Sequence, residues 1–377
     1  MRVLHIGYRL PPMPGGKERY IEELVAEQLR RRHEVLVARR LGEVPPGARE
    51  FPLAPTPAAR VVSRRSDVVA FAMECARALP RARGIDVVHA HGDHREALGL
   101  GAAARRLGVP LVLHVHGALT ARHRRIMPLA FRHADGFITA GPAPRADLLA
   151  AGVPAERIRM VPSGLDLDRL AAFRGGSPVE RGLIVSVGSL VPVKNHALTI
   201  EAFRELRELR ELRATRPDAR LVIVGEGPER ARLERLAASV PGVELTGHLA
   251  ADDVYSLVGR AHAFVLASHR LPTIGEGSPI APLEALALGT AVVVSSEALP
   301  DPLIDPGAYL VFRSGSAGEL ADRLRSVLDD ETVRPRLAER GVRAVAAVGW
   351  PLVAEGIEEW YGMLGADRSP HSAAVLP

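Results

Sequence analysis

Short apolar runs alternate with longer amphipathic stretches along the whole chain. In the first half, VLHIGY (3–8), EVLVA (34–38), DVVHAH (86–91), PLVLHVH (110–116), GFITA (136–140) and RIRMVP (157–162) predict strands, while KERYIEELVAEQLRRR (17–32) and REALGLGAAARRLG (95–108) predict helices. The second half restarts the series with LIVSVG (183–188), ARLVIVG (219–225), VELTG (243–247), HAFVLAS (262–268) and TAVVVSS (290–296). Strands that are apolar on both faces and alternate with helices belong to parallel sheets covered on each side. Two such series predict an α/β chain of two doubly wound domains. They join near SGLDLDRLAAFRGGSP (163–178), where Gly, Ser and Pro cluster. The repeat FRELRELRELR (203–213) reads as a solvated extension of a helix starting near Asn195, and GADRSPHSAAVLP (365–377) as a loose tail.

Composition narrows the class. The chain has 377 residues, 47% of them hydrophobic and 25% charged, enough for two cores. One cysteine, Cys75, excludes an internal disulfide and fits a reducing, cytoplasmic compartment. MRVLHIGY reads as a first strand rather than a signal peptide, and no apolar run reaches membrane-spanning length. Residues 1–165 carry 26 Lys plus Arg against 15 Asp plus Glu, and residues 166–377 carry 23 against 29. The basic half and the stretch ARHRRIMPLAFRHAD (121–135) allow a lipid-linked acceptor or peripheral contact with the inner face of a membrane. A small polar acceptor is equally allowed. With 4% aromatics and no basic-aromatic interleaving, the chain is not predicted to bind nucleic acid.

The segment EGSPIAPLEALALG (276–289) carries the sharpest chemistry. Glu276 stands in a loop entering a helix and Glu284 about one turn inside it. Between them the helix N-terminus offers free N–H groups to a phosphate. A carboxylate on either side of an anion site suits a nucleotide sugar. In VGSLVPVKNHALTI, Gly188 ends a strand and Lys194 precedes a helix, a combination suited to a diphosphate or, more plainly, a surface lysine. The loop RLPPMPGGKERY with Gly15-Gly16, and the pair Gly225-x-Gly227, are weaker phosphate signals. The spacing His89-x-His91-x-Asp93-His94 matches the zinc motif of metallo-β-lactamase-like hydrolases, and His114 and His116 form a second pair on one strand face. The plainer reading has these histidines lining a polar cleft at strand ends. Asp166-x-Asp168 reads as turn and capping aspartates.

In order along the chain, Gly15-Gly16 with Glu18, HEVLV (33–37), DVVHAHG (86–92), PLVLHVHG (110–117), VPSGLD (161–166), VGSL with Lys194, VGEGP (224–228), LTGHL (245–249) and Glu276 with EALALGTAVV (284–293) resemble the retaining glycosyltransferases of family 4. The resemblance implies a GT-B fold of two Rossmann-like domains facing across a cleft. It assigns acceptor binding to residues 1–165 and nucleotide-sugar binding to residues 166–349, with a return helix at 350–366 and a tail at 367–377. It implies retaining hexosyl transfer from a UDP- or GDP-sugar to a hydroxyl acceptor, with no tightly bound cofactor and no required metal. A nucleotide-sugar epimerase of similar fold and the zinc hydrolase are the competing readings. Carried over residue by residue, Gly15 and Gly16 pack against the donor diphosphate and His116 sits beside the transferred sugar. Gly188, Ser189 and Lys194 meet the diphosphate, and the backbone of Gly247, His248 and Leu249 meets the base. Ile280 and Ala281 N–H groups hold phosphate, Glu276 contacts the sugar hydroxyls and Glu284 the ribose diol. Ser189 stands where the family usually has a second diphosphate cation, an arginine, so Arg270 or Arg9 is expected to replace it. Ser163 replaces the usual linker Asn, and Pro279 a common glycine.

Overall fold

The computed structural model describes residues 1–13, 15–117, 119, 123–208, 219–271, 275–276 and 278–366. The last residues of the arginine-glutamate repeat (209–213) and the predicted tail from 367 onward lie outside the described residues. The chain forms two compact units: Met1–Gly164 with the C-terminal segment from Trp350, and Leu165–Gly349. Among the described residues no helix is long and apolar enough to cross a membrane.

The first unit is built on strands β1 (Arg2–Arg9), β2 (Glu34–Leu41), β3 (Arg49–Glu50), β4 (Val87–His91), β5 (Leu111–Val115), β6 (Gly136–Thr139) and β7 (Ile158–Met160). They form one parallel sheet in the order β3-β2-β1-β4-β5-β6-β7. The second unit holds β8 (Glu180–Val187), β9 (Arg220–Val224), β10 (Val243–Gly247), β11 (Ala261–Leu266), β12 (Ala291–Ser295) and β13 (Leu310–Phe312). Its order is β10-β9-β8-β11-β12-β13, again parallel. Helices cover both faces of each sheet, so β4, β5, β11 and β12 are buried along their whole length. This is the doubly wound pattern that the periodicity predicts. The short strands β3 and β13, two and three residues long, are too brief to show a period.

Two predicted elements differ. The stretch 95–108 forms two short helices, His94–Leu100 and Ala103–Arg106, because Gly101 adopts φ 51° and breaks the hydrogen-bond ladder between them. The junction segment contains a helix, Leu167–Phe173, whose first turn is capped by Asp166 Oδ1 accepting from the Arg169 N–H at 3.0 Å. That accounts for the Asp166-x-Asp168 pair without a metal.

In each unit the strand order reverses beside its first strand, between β1 and β4 and between β8 and β11. Loops leaving the carboxyl ends of those neighbours diverge to opposite faces, which leaves room for a ligand. The helix Trp350–Ala366 returns to the first unit and buries Trp350, Val353, Ile357, Trp360 and Tyr361 against Val3, Val87, Val112 and Ile138 of its sheet. Trp350 Nε1 donates to Glu23 Oε2 at 2.8 Å, and its ring fills the space above Gly164, where a Cβ would come within 2.3 Å of it. Trp350→Ala is expected to destabilise the first unit by about 3–5 kcal/mol, chiefly through the cavity it leaves; denaturant unfolding monitored on the isolated variant would read this directly.

Candidate active site

The second unit brings Lys194 and Glu276 together at its switch point. Lys194 lies in the loop after β8, and Glu276 in the loop after β11. Their side chains pair at 2.6 Å (Nζ to Oε1) and are largely buried, 19% and 14% exposed. The two loops are tied by the His269 N–H donating to the Val193 carbonyl at 2.9 Å. The Glu276 carboxylate also accepts from Ser268 Oγ at 2.7 Å, and the Ser268 carbonyl in turn accepts from Ser295 Oγ. Both serines are buried at strand ends, so the carboxylate is held from the sheet side.

Lys194 is positioned by its own loop. Its stem lies over Gly188, where a Cβ would meet Lys194 Cδ at 3.3 Å. His196, buried behind it, faces Ser186 Oγ and the Gly188 carbonyl at 3.3 Å each, and burial lowers its pKa to about 4, so it is neutral. Ser186 O–H then donates to Nδ1 and Nε2–H donates to the carbonyl. The glycine pair Gly225-x-Gly227 serves packing: a Cβ on Gly225 would fall 2.0 Å from the Gly188 carbonyl oxygen, and one on Gly227 2.4 Å from that of Leu190. Ser189 is exposed beside Gly188.

Beyond Glu276 the helix Ile280–Ala287 begins with Pro279 at its N-cap and Pro282 in its first turn. Neither proline has an N–H, which leaves those of Ile280 and Ala281 as the adjacent pair at the helix start. Glu284 is buried in that helix and accepts from the Tyr255 hydroxyl at 2.9 Å. Gly247 ends β10 with φ 81°, its carbonyl taken by the Gly225 N–H at 2.9 Å; His248 is exposed and Leu249 packs on the core. Sequence reasoning missed Tyr255, Ser268, His196 and Pro282. Only Pro282 had a local signal, a second proline at the start of a predicted helix.

In the first unit the loop after β1 leads to Gly15, the N-cap of the helix Gly16–Arg30, and Gly16 has open space around its Cα. Glu18 folds back under Gly15 and faces Arg9 at 3.6 Å. The zinc set of the competing reading does not converge. Asp93 caps the helix His94–Leu100 in a capping box with Glu96 and is held by Arg95, while His89 and His91 point into the interior of the sheet. Nor do the histidines line a polar cleft. His5, His89, His91 and His114 are fully buried between sheet and helices, and only His116, at the end of β5, is partly exposed. Among the described residues the groupings close enough to share a metal ion are His5–His89–His91 and His91–His114–His116; Asp93 belongs to neither. His5 was not singled out from the sequence, since a lone histidine in an apolar strand carries no spacing signal.

The chain matches two family models in succession: "Glycosyltransferase Family 4" over residues 14–169 and "Glycosyl transferases group 1" over residues 169–343. It is 27% identical to a glycogen synthase of Mycobacterium tuberculosis over 96% of this chain and 94% of that protein. It is 25% identical to the sulfoquinovosyl transferase SQD2 of Arabidopsis thaliana over 70% of this chain, spanning 54% of that protein. Among solved structures, Anabaena Alr3699/HepE in complex with UDP-glucose superposes with a TM-score of 0.72 at 17% identity, covering 96% of this chain and all of that one. The shared fold is GT-B.

Burial of the imidazoles makes stability depend on pH. Burial lowers the pKa of His5 to about 4 and of His114 to about 3, and it also holds His89 and His91 well below the usual range. The unfolded chain protonates them near the ordinary value of about 6.5. Their contribution is therefore intact above that pH and is lost as pH falls through 6.5 toward 4 and 3, with a slope of up to about 1.4 kcal/mol per pH unit for each imidazole. Urea unfolding should show a lower stability at pH 5 than at pH 7, and His5→Gln should flatten the difference.

Proposed function

This chain belongs to the family 4, group 1 glycosyltransferases, enzymes that use a nucleotide sugar, and we propose that it transfers the sugar of a UDP- or GDP-sugar to a hydroxyl acceptor with retention at the anomeric carbon. The observation that carries the reading is the meeting of Lys194 and Glu276 at the switch point of the second sheet, next to a helix start. A lysine ammonium beside two oriented N–H groups suits a leaving diphosphate, whose charge grows as the bond to the sugar breaks. Glu276 takes the sugar hydroxyls and Glu284, steadied by Tyr255, the ribose diol. The base meets the backbone of Gly247, His248 and Leu249. In the first unit Gly15 and Gly16 approach the diphosphate and His116 serves the transferred sugar, roles supported by the family resemblance. The leaving phosphate accepts the acceptor's proton on the face it departs from, so protein cations and dipoles suffice and no metal ion takes part.

The UDP-glucose bound by the Anabaena protein supports a uridine donor as the first to try. With Ser189 in place of the family arginine, a second cation is drawn from elsewhere. The stem of Arg270 lies over Gly275, 3.4 Å from where its Cβ would stand, directly before Glu276. We assign the role to Arg270.

Transfer is assayed with UDP- and GDP-sugars and a panel of hydroxyl acceptors in the presence of EDTA, and the anomeric configuration of the product is read by NMR. Glu276→Ala should lower turnover by roughly a hundredfold or more with an unchanged circular dichroism spectrum; near-native turnover would remove Glu276 from the mechanism. Arg270→Ala should raise the donor dissociation constant by roughly tenfold or more, about 1.5–3 kcal/mol of charged hydrogen bonding. If titration calorimetry finds no change for Arg270→Ala, the assignment to Arg270 is wrong, and if Arg9→Ala is also without effect, neither arginine replaces the missing one.

A further inference from the structure

Five imidazoles meet in the first unit because β1, β4 and β5 are neighbours in register: His5 is opposite His89, and His91 is opposite His114. Three of them, His5, His91 and His116, are joined by hydrogen bonds in series, and His89 pairs separately with His114 at 3.2 Å. Gln28 Oε1 lies 2.7 Å from His5 Nε2, His5 Nδ1 lies 2.9 Å from His91 Nε2, and His91 Nδ1 lies 3.0 Å from His116 Nε2. The ring of His116 is held flat on His114, with centroids 4.0 Å apart and planes at 11°, and Tyr20 meets it edge-on at 5.0 Å.

The series has a direction. An amide oxygen only accepts, so His5 must donate to it from Nε2. A neutral imidazole carries one proton, so His5 Nδ1 is bare and accepts from His91 Nε2–H. His91 Nδ1 is then bare in turn and accepts from His116 Nε2–H. Burial keeps all three rings neutral, pushing each pKa below the usual imidazole range. At the head of the series it is the amide oxygen of Gln28 that faces His5, and the amide nitrogen has no hydrogen-bond partner among the described residues. Tyr361, from the returning helix, lies against Nδ1 of the neighbouring His89.

We propose that Gln28, His5 and His91 are positioning residues that lock His116 in the Nε2–H tautomer, so that Nδ1, as a bare lone pair, is the atom His116 offers to a hydroxyl group of the substrate. The ligand class follows from the chemistry: a hydroxyl that donates a hydrogen bond is accepted, and a group that can only accept, such as a fluorine or an ether oxygen, is refused. The assignment of substrate contact to His116 rests on the function proposed above; the tautomer does not.

The test has two arms. In histidine-labelled wild-type enzyme, two-bond nitrogen–proton correlation spectra report which ring nitrogen carries the proton. The expected pattern for His116 is a protonated Nε2 and a bare Nδ1 at neutral pH; a proton on Nδ1 overturns the proposal without any activity measurement. In the second arm, His91→Leu removes the acceptor that holds the His116 proton and should lower kcat by roughly tenfold with a retained melting transition. His91→Gln presents an amide oxygen toward His116 and an amide N–H toward His5, and should restore most of the loss. Wild-type turnover in His91→Leu, or equal loss in both variants, overturns the positioning role. A His116→Ala enzyme with undiminished transfer would instead remove His116 from the proposed function while leaving the tautomer assignment intact.

Discussion

A parallel sheet covered on both faces has no wet side, and that constraint governs where this chain can keep polar chemistry. Backbone groups are satisfied within the ladder, but a polar side chain along such a strand has no water to turn to. The second unit obeys by sending its charges to the carboxyl ends of β8 and β11, where strand order reverses and the departing loops separate. Lys194 and Glu276 stand there, each partly exposed and each compensated by the other. The serines at the ends of β11 and β12 and the histidine behind β8 support the two loops with buried hydrogen bonds.

The first unit meets the same constraint by another route. It keeps four histidines, His5, His89, His91 and His114, fully buried inside neighbouring strands. A buried, unpaired imidazole would cost one to a few kcal/mol, roughly the penalty for an orphaned polar group. Bonding ring to ring, His5 with His91 and His89 with His114, offsets much of that cost, because every neutral imidazole is at once a donor and an acceptor. Such a chain has only a few consistent proton arrangements, and its ends select among them. Here one end is a buried glutamine and the other is His116, at the mouth of the strand. Packing and proton placement are thus one problem in this unit.

Much was legible before any coordinates. Strands such as LIVSVG and HAFVLAS were visible because a strand buried on both faces is a short apolar run bounded by turns, a purely local property. The loop position of Glu276 and the helix carrying Glu284 were read from helix-forming residues in sequence, and the resemblance placed the phosphate-holding helix start at Ile280 and Ala281. The zinc-like spacing of His89, His91, Asp93 and His94, a competing reading, does not correspond to a shared site for a physical reason. Spacing says which residues leave the same strand end, but Asp93 is claimed by the backbone of the next helix and by Arg95 before any metal could use it. The predicted helix at 95–108 failed for a similar reason, since apolar periodicity does not reveal that Gly101 takes a left-handed conformation.

By itself, the sequence determined the two series of strands and helices, the loops that carry Lys194, Glu276 and Gly16, and the family to which their order points. Each of these depends on residues near one another in the chain, where periodicity, caps and turn formers act. The tertiary structure alone decided which groups meet: Lys194 with Glu276, Glu284 with Tyr255, and His116 with His91, His5 and Gln28. Those partners come from strands and helices far apart in sequence. A hydrogen bond or ion pair is selected by strand order and register, which are settled only when the whole sheet closes its core.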